Sequence, residues 1–159
     1  MTPAPRNTKV LVADSDRAVL EMLQIRLDLA GYHALAARSA PAALEIIRNM
    51  GPAVLVLDLA LPETDAFDLL TILQRDRSRP MCPTLLIGKR LGIEEIKRAA
   101  TFGVRACMVK PFSGADLLER VAKVLKPPQP QPSRPPGAGH VPHQSGTGPQ
   151  VSKSGDFFL

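Results

Sequence analysis

The sequence has few aromatic residues and no long apolar run. It contains no tryptophan, one tyrosine and five phenylalanines, and aromatic residues make up only 4% of its 159 positions. A hydrophobic core must therefore be built mainly from Leu, Ile, Val and Ala. No segment approaches the ~20 consecutive apolar residues that a membrane-spanning helix needs, and residues 1–9 lack the apolar stretch of a signal peptide. We therefore expect a cytoplasmic protein that does not insert into a membrane.

Cysteine and clustered positive charge are also scarce. The two cysteines, Cys82 and Cys107, lie far apart with no paired spacing, which argues against a disulfide framework or a zinc site. The net charge is +5 at pH 7, but Lys and Arg are scattered along the chain. Nucleic-acid-binding domains concentrate positive charge on one face, so we expect no nucleic-acid partner.

Composition divides the chain into an N-terminal extension (1–7), a domain (8–126) and a tail (127–159). Residues 127–150 are rich in Pro, Gly, Gln and Ser, a composition that buries too little apolar surface to offset the entropy of ordering. We expect that segment to be disordered. The tail ends in an apolar tip, which is either an unremarkable chain end or a docking segment for a partner or for the domain itself. The tip consists of Phe157, Phe158 and Leu159.

Short apolar runs alternate with segments of helical periodicity in residues 8–126. Continuous apolar runs indicate strands buried on both faces of a sheet. The four clear runs are Lys9–Ala13, Ala53–Leu57, Thr84–Ile87 and Ala106–Val109, and His33–Ala37 is a weaker fifth. The segments between them repeat apolar residues every three or four positions, which favours helices, with Ser39 and Ser113 as N-caps. This alternation predicts an α/β fold, a flavodoxin-like doubly wound sheet of five parallel strands in the order 2-1-3-4-5.

Charged side chains follow three of the predicted strands. Asp14 follows the first strand, Asp58 the third and Lys110 the fifth. Because the functional crevice of a doubly wound sheet lies beyond the carboxyl ends of its strands, we expect these groups to converge. Two carboxylates beside a lysine suit a hard divalent cation together with an anionic oxygen group. Taken singly, each aspartate could equally be a helix cap or a turn former.

From about Thr8 to Lys126 the sequence resembles the receiver domains of two-component response regulators. The similarity lies in VLVADSD (Val10–Asp16), LVLDLALPETDAFDLL (Leu55–Leu70), PTLLIGKR (Pro83–Arg90) and GVRACMVKPF (Gly103–Phe112). The resemblance implies that a histidine kinase or a phosphotransfer protein donates a phosphoryl group to an aspartate of this chain.

The resemblance also implies roles for individual residues. Asp58 stands at the phosphoacceptor position, and Lys110 stands where a cation contacts the phosphoryl oxygens. Mg²⁺ would be held by Asp14, by Asp58 and by the backbone carbonyl of Ala60. The Lys110–Pro111 peptide bond would be cis, which directs the lysine into the pocket.

Several positions depart from the family pattern. Ser15 stands where a second acid usually binds the metal, and Gly88 where a hydroxyl residue usually contacts the phosphoryl group. Cys107 replaces the aromatic residue whose rotamer usually reports phosphorylation, and Lys89 adds an ammonium group where a small residue is usual. These departures predict weak Mg²⁺ binding and no conventional threonine–tyrosine switch, unless Asp16 supplies the missing carboxylate.

Two functions of different classes agree with these features. The first is a stand-alone response regulator receiver in a phosphorelay, which accepts a phosphoryl group on Asp58, if only weakly, and signals through contacts with a downstream protein. The second is a pseudo-receiver that acts as a scaffold or localisation module without phosphorylation. Neither is an enzyme beyond self-catalysed phosphoryl transfer to Asp58. A flavodoxin-like enzyme or nucleotide binder is disfavoured, because no glycine-rich phosphate loop follows the first strand.

Overall fold

The computed structural model describes residues 7–78 and 80–126, together with the backbone of residues 157–158. Strands and helices alternate through the first two ranges, as the sequence pattern predicts. The strands are β1 (Lys9–Ala13), β2 (His33–Ala37), β3 (Val54–Asp58), β4 (Thr84–Gly88) and β5 (Ala106–Val109). The helices are α1 (Arg17–Leu29), α2 (Ala40–Met50), α3 (Ala66–Arg75), α4 (Ile93–Thr101) and α5 (Gly114–Leu125). None of the helices in this described part is long and apolar enough to cross a membrane.

The five strands form a parallel sheet in the order β2-β1-β3-β4-β5, which confirms the predicted topology. Every residue of β3 and β4 is buried, because helices cover both faces of the sheet. Side chains of α2, α3 and α4, such as Ala43, Leu70 and Ile96, form the core on one face. Side chains of α1 and α5, such as Leu23 and Leu117, form the core on the other.

Polar side chains fix where the helices begin. The Ser39 and Ser113 side chains accept hydrogen bonds from backbone N–H groups in the first turns of α2 and α5, which confirms both predicted N-caps. Asp16 and Asp65 cap α1 and α3 in the same way. α2 ends at Gly51, whose φ of 54° lies in the left-handed region that favours glycine. Four of the five helices therefore begin at a polar side chain, whereas α4 follows Gly92 without a side-chain cap.

A sixth strand, which the sequence pattern does not predict, lies at the edge of the sheet. It comes from the apolar tip, for which docking on the domain itself was one of the expected alternatives. β6 (Phe157–Phe158) pairs antiparallel with β5, with Phe158 opposite Ala106 and Phe157 opposite Cys107. The sheet thus contains five parallel strands and one antiparallel edge strand. Residues 127–150, where disorder is predicted, and Leu159 of the tip lie outside the described residues. The division into 1–7, 8–126 and 127–159 stays a prediction.

Candidate functional site

The carboxyl ends of the central strands meet at a cavity of about 340 Å³. Asp14 directly follows β1, and Asp58 ends β3. Gly88 ends β4, and Lys110 directly follows β5. All four residues line the cavity, as expected for side chains at one edge of a parallel sheet. The other lining residues are Ser15, Asp16, Leu59, Ala60, Lys89 and Arg90.

Lys110 forms an ion pair with both aspartates of the cavity. Its Nζ lies 2.5 Å from Asp14 Oδ2 and 3.2 Å from Asp58 Oδ2. Asp14 is fully buried, and Asp58 is 5% exposed. The Lys110–Pro111 peptide bond is cis, as predicted. The three side chains expected to converge therefore do lie together, and their chemical roles remain predictions.

Backbone N–H groups hold the other carboxylate oxygens. The Asp16 N–H donates to Asp14 Oδ1 at 2.9 Å, and the Ala60 N–H donates to Asp58 Oδ1 at 3.3 Å. Together with Lys110, these donors give all four carboxylate oxygens a hydrogen-bond partner. The orientation of both aspartates is therefore fixed by the loops that follow β1 and β3.

The Asp16 carboxylate caps the first turn of α1. Its Oδ1 accepts hydrogen bonds from the Ala18 N–H at 2.9 Å and from the Val19 N–H at 3.4 Å. Asp16 is exposed, although it lines the mouth of the cavity. A carboxylate committed to the helix N-terminus does not replace the acid that is missing at Ser15, so this alternative is not supported.

Burial and like charge shape the titration of the cluster. Burial and the charge of Asp14 raise the pKa of Asp58 above its ordinary 3.8, and Lys110 and the Ala60 N–H offset this only in part. Burial lowers the pKa of Lys110, but the hydrogen bond to Asp14 and the charges of both aspartates outweigh it, so the net pKa lies above 10.5. Lys110 is therefore a permanent ammonium at neutral pH, whereas the Asp58 carboxylate is ionised at a free-energy cost.

We expect the Asp58→Asn variant to be more stable than the unmodified protein at pH 7. Asparagine keeps the side-chain size and removes a buried charge next to Asp14. Because the folded-state pKa of Asp58 is raised, the protonated carboxyl stabilises the folded protein. This contribution to stability is complete below the unfolded pKa near 3.8 and is lost as pH rises through the folded pKa. The free energy of unfolding in urea should rise by about 0.5–2 kcal/mol at pH 7. This gain should fade as the pH falls towards the pKa of the Asp58 carboxyl in the unfolded protein.

The control for this prediction is Asp68→Asn, since Asp68 is exposed on α3 and lies outside the cavity. Its free energy of unfolding should change by no more than about 0.5 kcal/mol. A destabilised Asp58→Asn variant, or a gain that persists unchanged in acid, would show that the Asp58 charge is not held at a cost.

Three of the positions that depart from the family pattern carry neutral groups, and two of them, Ser15 and Gly88, line the cavity. Ser15 is half-buried and lines the cavity. Gly88 is buried, and a Cβ added there would lie 3.3 Å from the Leu59 Cβ, so a larger residue would need Leu59 to move by a few tenths of an ångström. Cys107 is fully buried in the core, and burial raises the pKa of its thiol to about 11. It is a neutral core residue at physiological pH.

Two basic residues near the carboxyl ends of the strands were missed. Arg38 directly follows β2, and its guanidinium donates a hydrogen bond to the Ser15 carbonyl at 3.4 Å. Arg90 lines the cavity beside Lys89, two residues after β4 ends. The carboxyl end of β2 lies at the same edge of the sheet as the other strand ends, and this rule would have found Arg38. These residues add exposed positive charge around the buried ion pair.

The described residues fit a divalent metal poorly. Mg²⁺ prefers several oxygen ligands in near-octahedral geometry, and no group of three or more His, Cys, Asp or Glu in the described ranges is arranged to hold a metal. The predicted ligands Asp14 and Asp58 lie together, but the Lys110 ammonium bridges them and Ser15 offers only a neutral hydroxyl. Weak Mg²⁺ binding stays a prediction. A ligand role for the Ala60 carbonyl stays a prediction.

A larger cavity, of about 470 Å³, lies between α3 and α4. The Arg98 guanidinium lies 4.3 Å from the centre of the Phe67 ring, a cation–π contact at this surface. The other lining residues are Glu94, Glu95, Lys97 and Thr101. All the charged groups here come from the single helix α4 and are mostly exposed. We therefore assign the chemistry to the smaller cavity, where charged side chains from three strands meet.

The domain matches a known family. A family model described as a response regulator receiver domain matches residues 10–122. The phosphate regulon transcriptional regulatory protein PhoB of Pseudomonas aeruginosa is 30% identical over 118 residues, which make up 74% of this chain and 51% of PhoB. The chain thus spans about half the length of the curated relatives that it matches.

Solved structures share the fold. The non-phosphorylated HemR receiver domain of Leptospira biflexa superposes with a TM-score of 0.70 at 26% identity, over 79% of this chain and 99% of that one. The chemotaxis response regulator CheY4 of Vibrio cholerae gives a TM-score of 0.70 at 24% identity, over 75% of this chain and 99% of that one. Because the identity to CheY4 is only 24%, this similarity is evidence for the fold alone.

Proposed function

Because this chain belongs to the response regulator receiver family, we propose that it acts in two-component signalling as a receiver with Asp58 as its phosphoacceptor. The proposed donor is a phosphohistidine of a histidine kinase or of a phosphotransfer protein, and the signal passes to a downstream protein in the cytoplasm. The observation that carries this proposal is the buried cluster of Asp14, Lys110 and Asp58 at the carboxyl ends of β1, β5 and β3.

The proposed reaction needs little from the protein beyond positioning and charge neutralisation. The P–N bond of the phosphohistidine breaks as a P–O bond to the Asp58 carboxylate forms, and the imidazole leaves. Lys110 lies 3.2 Å from Asp58 Oδ2 and neutralises the charge that develops on the phosphoryl oxygens. The Ala60 N–H holds the other Asp58 oxygen, so the carboxylate is oriented before the donor arrives.

Positive side chains at the mouth of the cavity support this proposal. A phosphoryl group on a side chain carries a charge of about −1.5 to −2 at pH 7. Lys89 and Arg90 are exposed and line the cavity, so they favour the approach of such a group. They supply charge but not the fixed hydroxyl donor that Gly88 lacks. We therefore expect phosphoryl transfer to Asp58 to be slow and the phosphorylated form to be short-lived.

A second candidate function is a pseudo-receiver that works as a scaffold without phosphorylation. It is favoured by the arrangement of the cluster: Lys110 already bridges both carboxylates, Ser15 is neutral, and the Asp16 carboxylate caps α1. Without phosphorylation, Lys110 would serve to neutralise the two buried carboxylates at the ends of β1 and β3. Partner contacts would then depend on the surface of the domain alone.

Phosphotransfer from histidine kinases of the same organism separates the two candidates. Each kinase is loaded with radioactive phosphate and mixed with this protein. We expect at least one kinase to label the unmodified chain and the Asp68→Asn variant, but not the Asp58→Asn variant. If no kinase transfers label, or if label persists in Asp58→Asn, the phosphoacceptor proposal fails. A complete absence of transfer would favour the scaffold.

A further inference from the structure

The outer edge of β5 is covered by a strand from a distant part of the chain. β6 pairs antiparallel with it, with Phe157 opposite Cys107 and Phe158 opposite Ala106. About 30 residues separate β6 from the end of α5. No short turn joins the two strands, so this pairing is not the by-product of a hairpin. The pairing therefore joins β5 to a segment that is remote from it in the sequence.

The edge of β5 is buried and apolar. With β6 in place, Ala106, Cys107 and Met108 are each at most 2% exposed, and β4 pairs with their inner side. An edge strand carries unpaired N–H and C=O groups, and a buried group without a partner costs about 1–3 kcal/mol. The β2 edge differs, because His33 is exposed and residues 34–36 are only half-buried. β5 is thus the edge that carries an added strand, whereas no described strand pairs with the outer side of β2.

We propose that the outer edge of β5 is a binding site for a short extended apolar segment, and that residues 157–158 of the same molecule are its resident occupant. Strand addition of this kind draws its affinity from main-chain hydrogen bonds and its specificity from alternate side chains. Each hydrogen bond contributes only about 0.5–1.5 kcal/mol net, so a two-residue strand binds weakly. Its attachment to the domain supplies an effective concentration on the order of millimolar.

A weakly held strand can be displaced by a better one. A partner protein with an extended apolar pair would add to β5 in place of residues 157–158, and the tip sets the affinity that such a partner must exceed. β5 leads directly into Lys110, so the binding site and the ion-pair cluster lie on one continuous stretch of chain. The site nevertheless does not depend on phosphorylation of Asp58.

The pairing register provides a direct test, because Cys107 is a native thiol on β5. In an antiparallel pair, residues directly opposite have Cα atoms about 4.5–5.5 Å apart, which is within the range that a disulfide bridges. The full-length Phe157→Cys variant, in a Cys82→Ser background, should form an intramolecular disulfide with Cys107 under mild oxidation. Peptide mass mapping and a non-reducing gel identify the bond.

The matched control is Phe158→Cys in the same background. Position 158 lies opposite Ala106, and successive residues of a strand point to opposite faces, so the new thiol should reach Cys107 at least about tenfold more slowly. The pair Ala106→Cys and Phe158→Cys, with Cys107→Ala, should restore rapid closure. Equal rates at positions 157 and 158, or disulfides found only between two molecules, would overturn the assignment of the occupant.

Competition with a peptide tests the site itself. A labelled peptide of residues 151–159 should bind a protein that lacks only residues 157–159 about tenfold more tightly than the full-length protein. A peptide with Phe158→Pro lacks a main-chain donor and should bind neither protein measurably. Equal affinity for the two proteins, or unchanged binding of the proline peptide, would show that the β5 edge is not a strand-addition site.

Discussion

The Lys110→Met variant is expected to lose about 3–5 kcal/mol of its free energy of unfolding at pH 7. Methionine retains much of the apolar volume but removes the ammonium that lies 2.5 Å from Asp14 and 3.2 Å from Asp58. The two aspartates, with exposures of 0% and 5%, would then remain buried without a counter-charge. Leaving a buried charge unpaired costs far more than a well-formed ion pair contributes, which is why the expected loss is large.

The loss in Lys110→Met should depend on pH. In acid it should shrink, because protonation of the aspartates removes the uncompensated charge. In the unmodified protein the pKa of Lys110 is raised, so its contribution to stability is complete below pH 10.5 and is lost as pH rises through the folded-state pKa. The unmodified protein should therefore approach the variant in strongly alkaline solution. Urea unfolding at acidic, neutral and alkaline pH measures both trends.

Lys89→Met is the matched control for Lys110→Met. Lys89 lines the same cavity but is exposed, so its replacement should change the free energy of unfolding by no more than about 0.5 kcal/mol. Equal losses in the two variants, or a loss below about 1 kcal/mol in Lys110→Met, would contradict the view that the ammonium neutralises a buried pair of carboxylates.

The Ser15→Asp variant is expected to bind Mg²⁺ at least about tenfold more tightly than the unmodified protein, a gain of ~1.4 kcal/mol. Two unit charges 4 Å apart interact by ~4 kcal/mol at an effective dielectric of about 20. The expected gain in Mg²⁺ affinity is only part of the attraction that a carboxylate at position 15 could supply. Without Mg²⁺ the same charge should lower the free energy of unfolding, because Lys110 alone cannot neutralise three carboxylates. Added Mg²⁺ should restore it by mass action.

Two controls identify the cause of weak metal binding. Ser15→Asn matches the size of aspartate without its charge and should leave the Mg²⁺ affinity unchanged. Lys89→Ala removes the nearby ammonium and should change the affinity less than Ser15→Asp does. If Lys89→Ala alone restores binding, electrostatic competition from that ammonium, rather than the missing carboxylate, was the obstacle. A gain in Ser15→Asn would also rule out the charge explanation.

A hydroxyl at position 88 should improve retention of the phosphoryl group, but by less in the Ser15→Asp background than it would alone. Gly88→Thr in the Ser15→Asp background restores a donor to the phosphoryl group and should slow its loss. The two gains should not add, since both groups act on one cluster of charges. A Cβ at position 88 meets the Leu59 Cβ at 3.3 Å, so Gly88→Ala is needed to separate this crowding from the effect of the hydroxyl.

The sheet and the meeting of Asp14, Asp58 and Lys110 could be predicted from the sequence for one physical reason. Alternating strands and helices force a parallel sheet, and a parallel sheet brings every strand's carboxyl end to one edge. The caps at Ser39 and Ser113 could also be predicted from the sequence, because a cap depends on neighbouring residues only. Local pattern and topology were sufficient for these features.

Other features depend on side-chain geometry or on distant pairing. Whether Asp16 caps α1 or turns into the cavity is decided by competing hydrogen bonds, and the sequence allows both. The bridging position of Lys110 between the two carboxylates likewise follows from the packed structure. A two-residue strand such as β6 is too short to give any periodic signal.

The rate at which radioactive acetyl phosphate labels Asp58 in the presence of Mg²⁺ tests the weakened pocket most directly. Acetyl phosphate reports on the pocket alone, because no kinase has to recognise the protein. With Asp58→Asn as the blank, the unmodified protein should label at least about tenfold more slowly than Ser15→Asp, in line with the expected difference in Mg²⁺ affinity. Labelling of the unmodified protein as fast as that of Ser15→Asp would contradict this account and indicate a fully competent phosphoacceptor site.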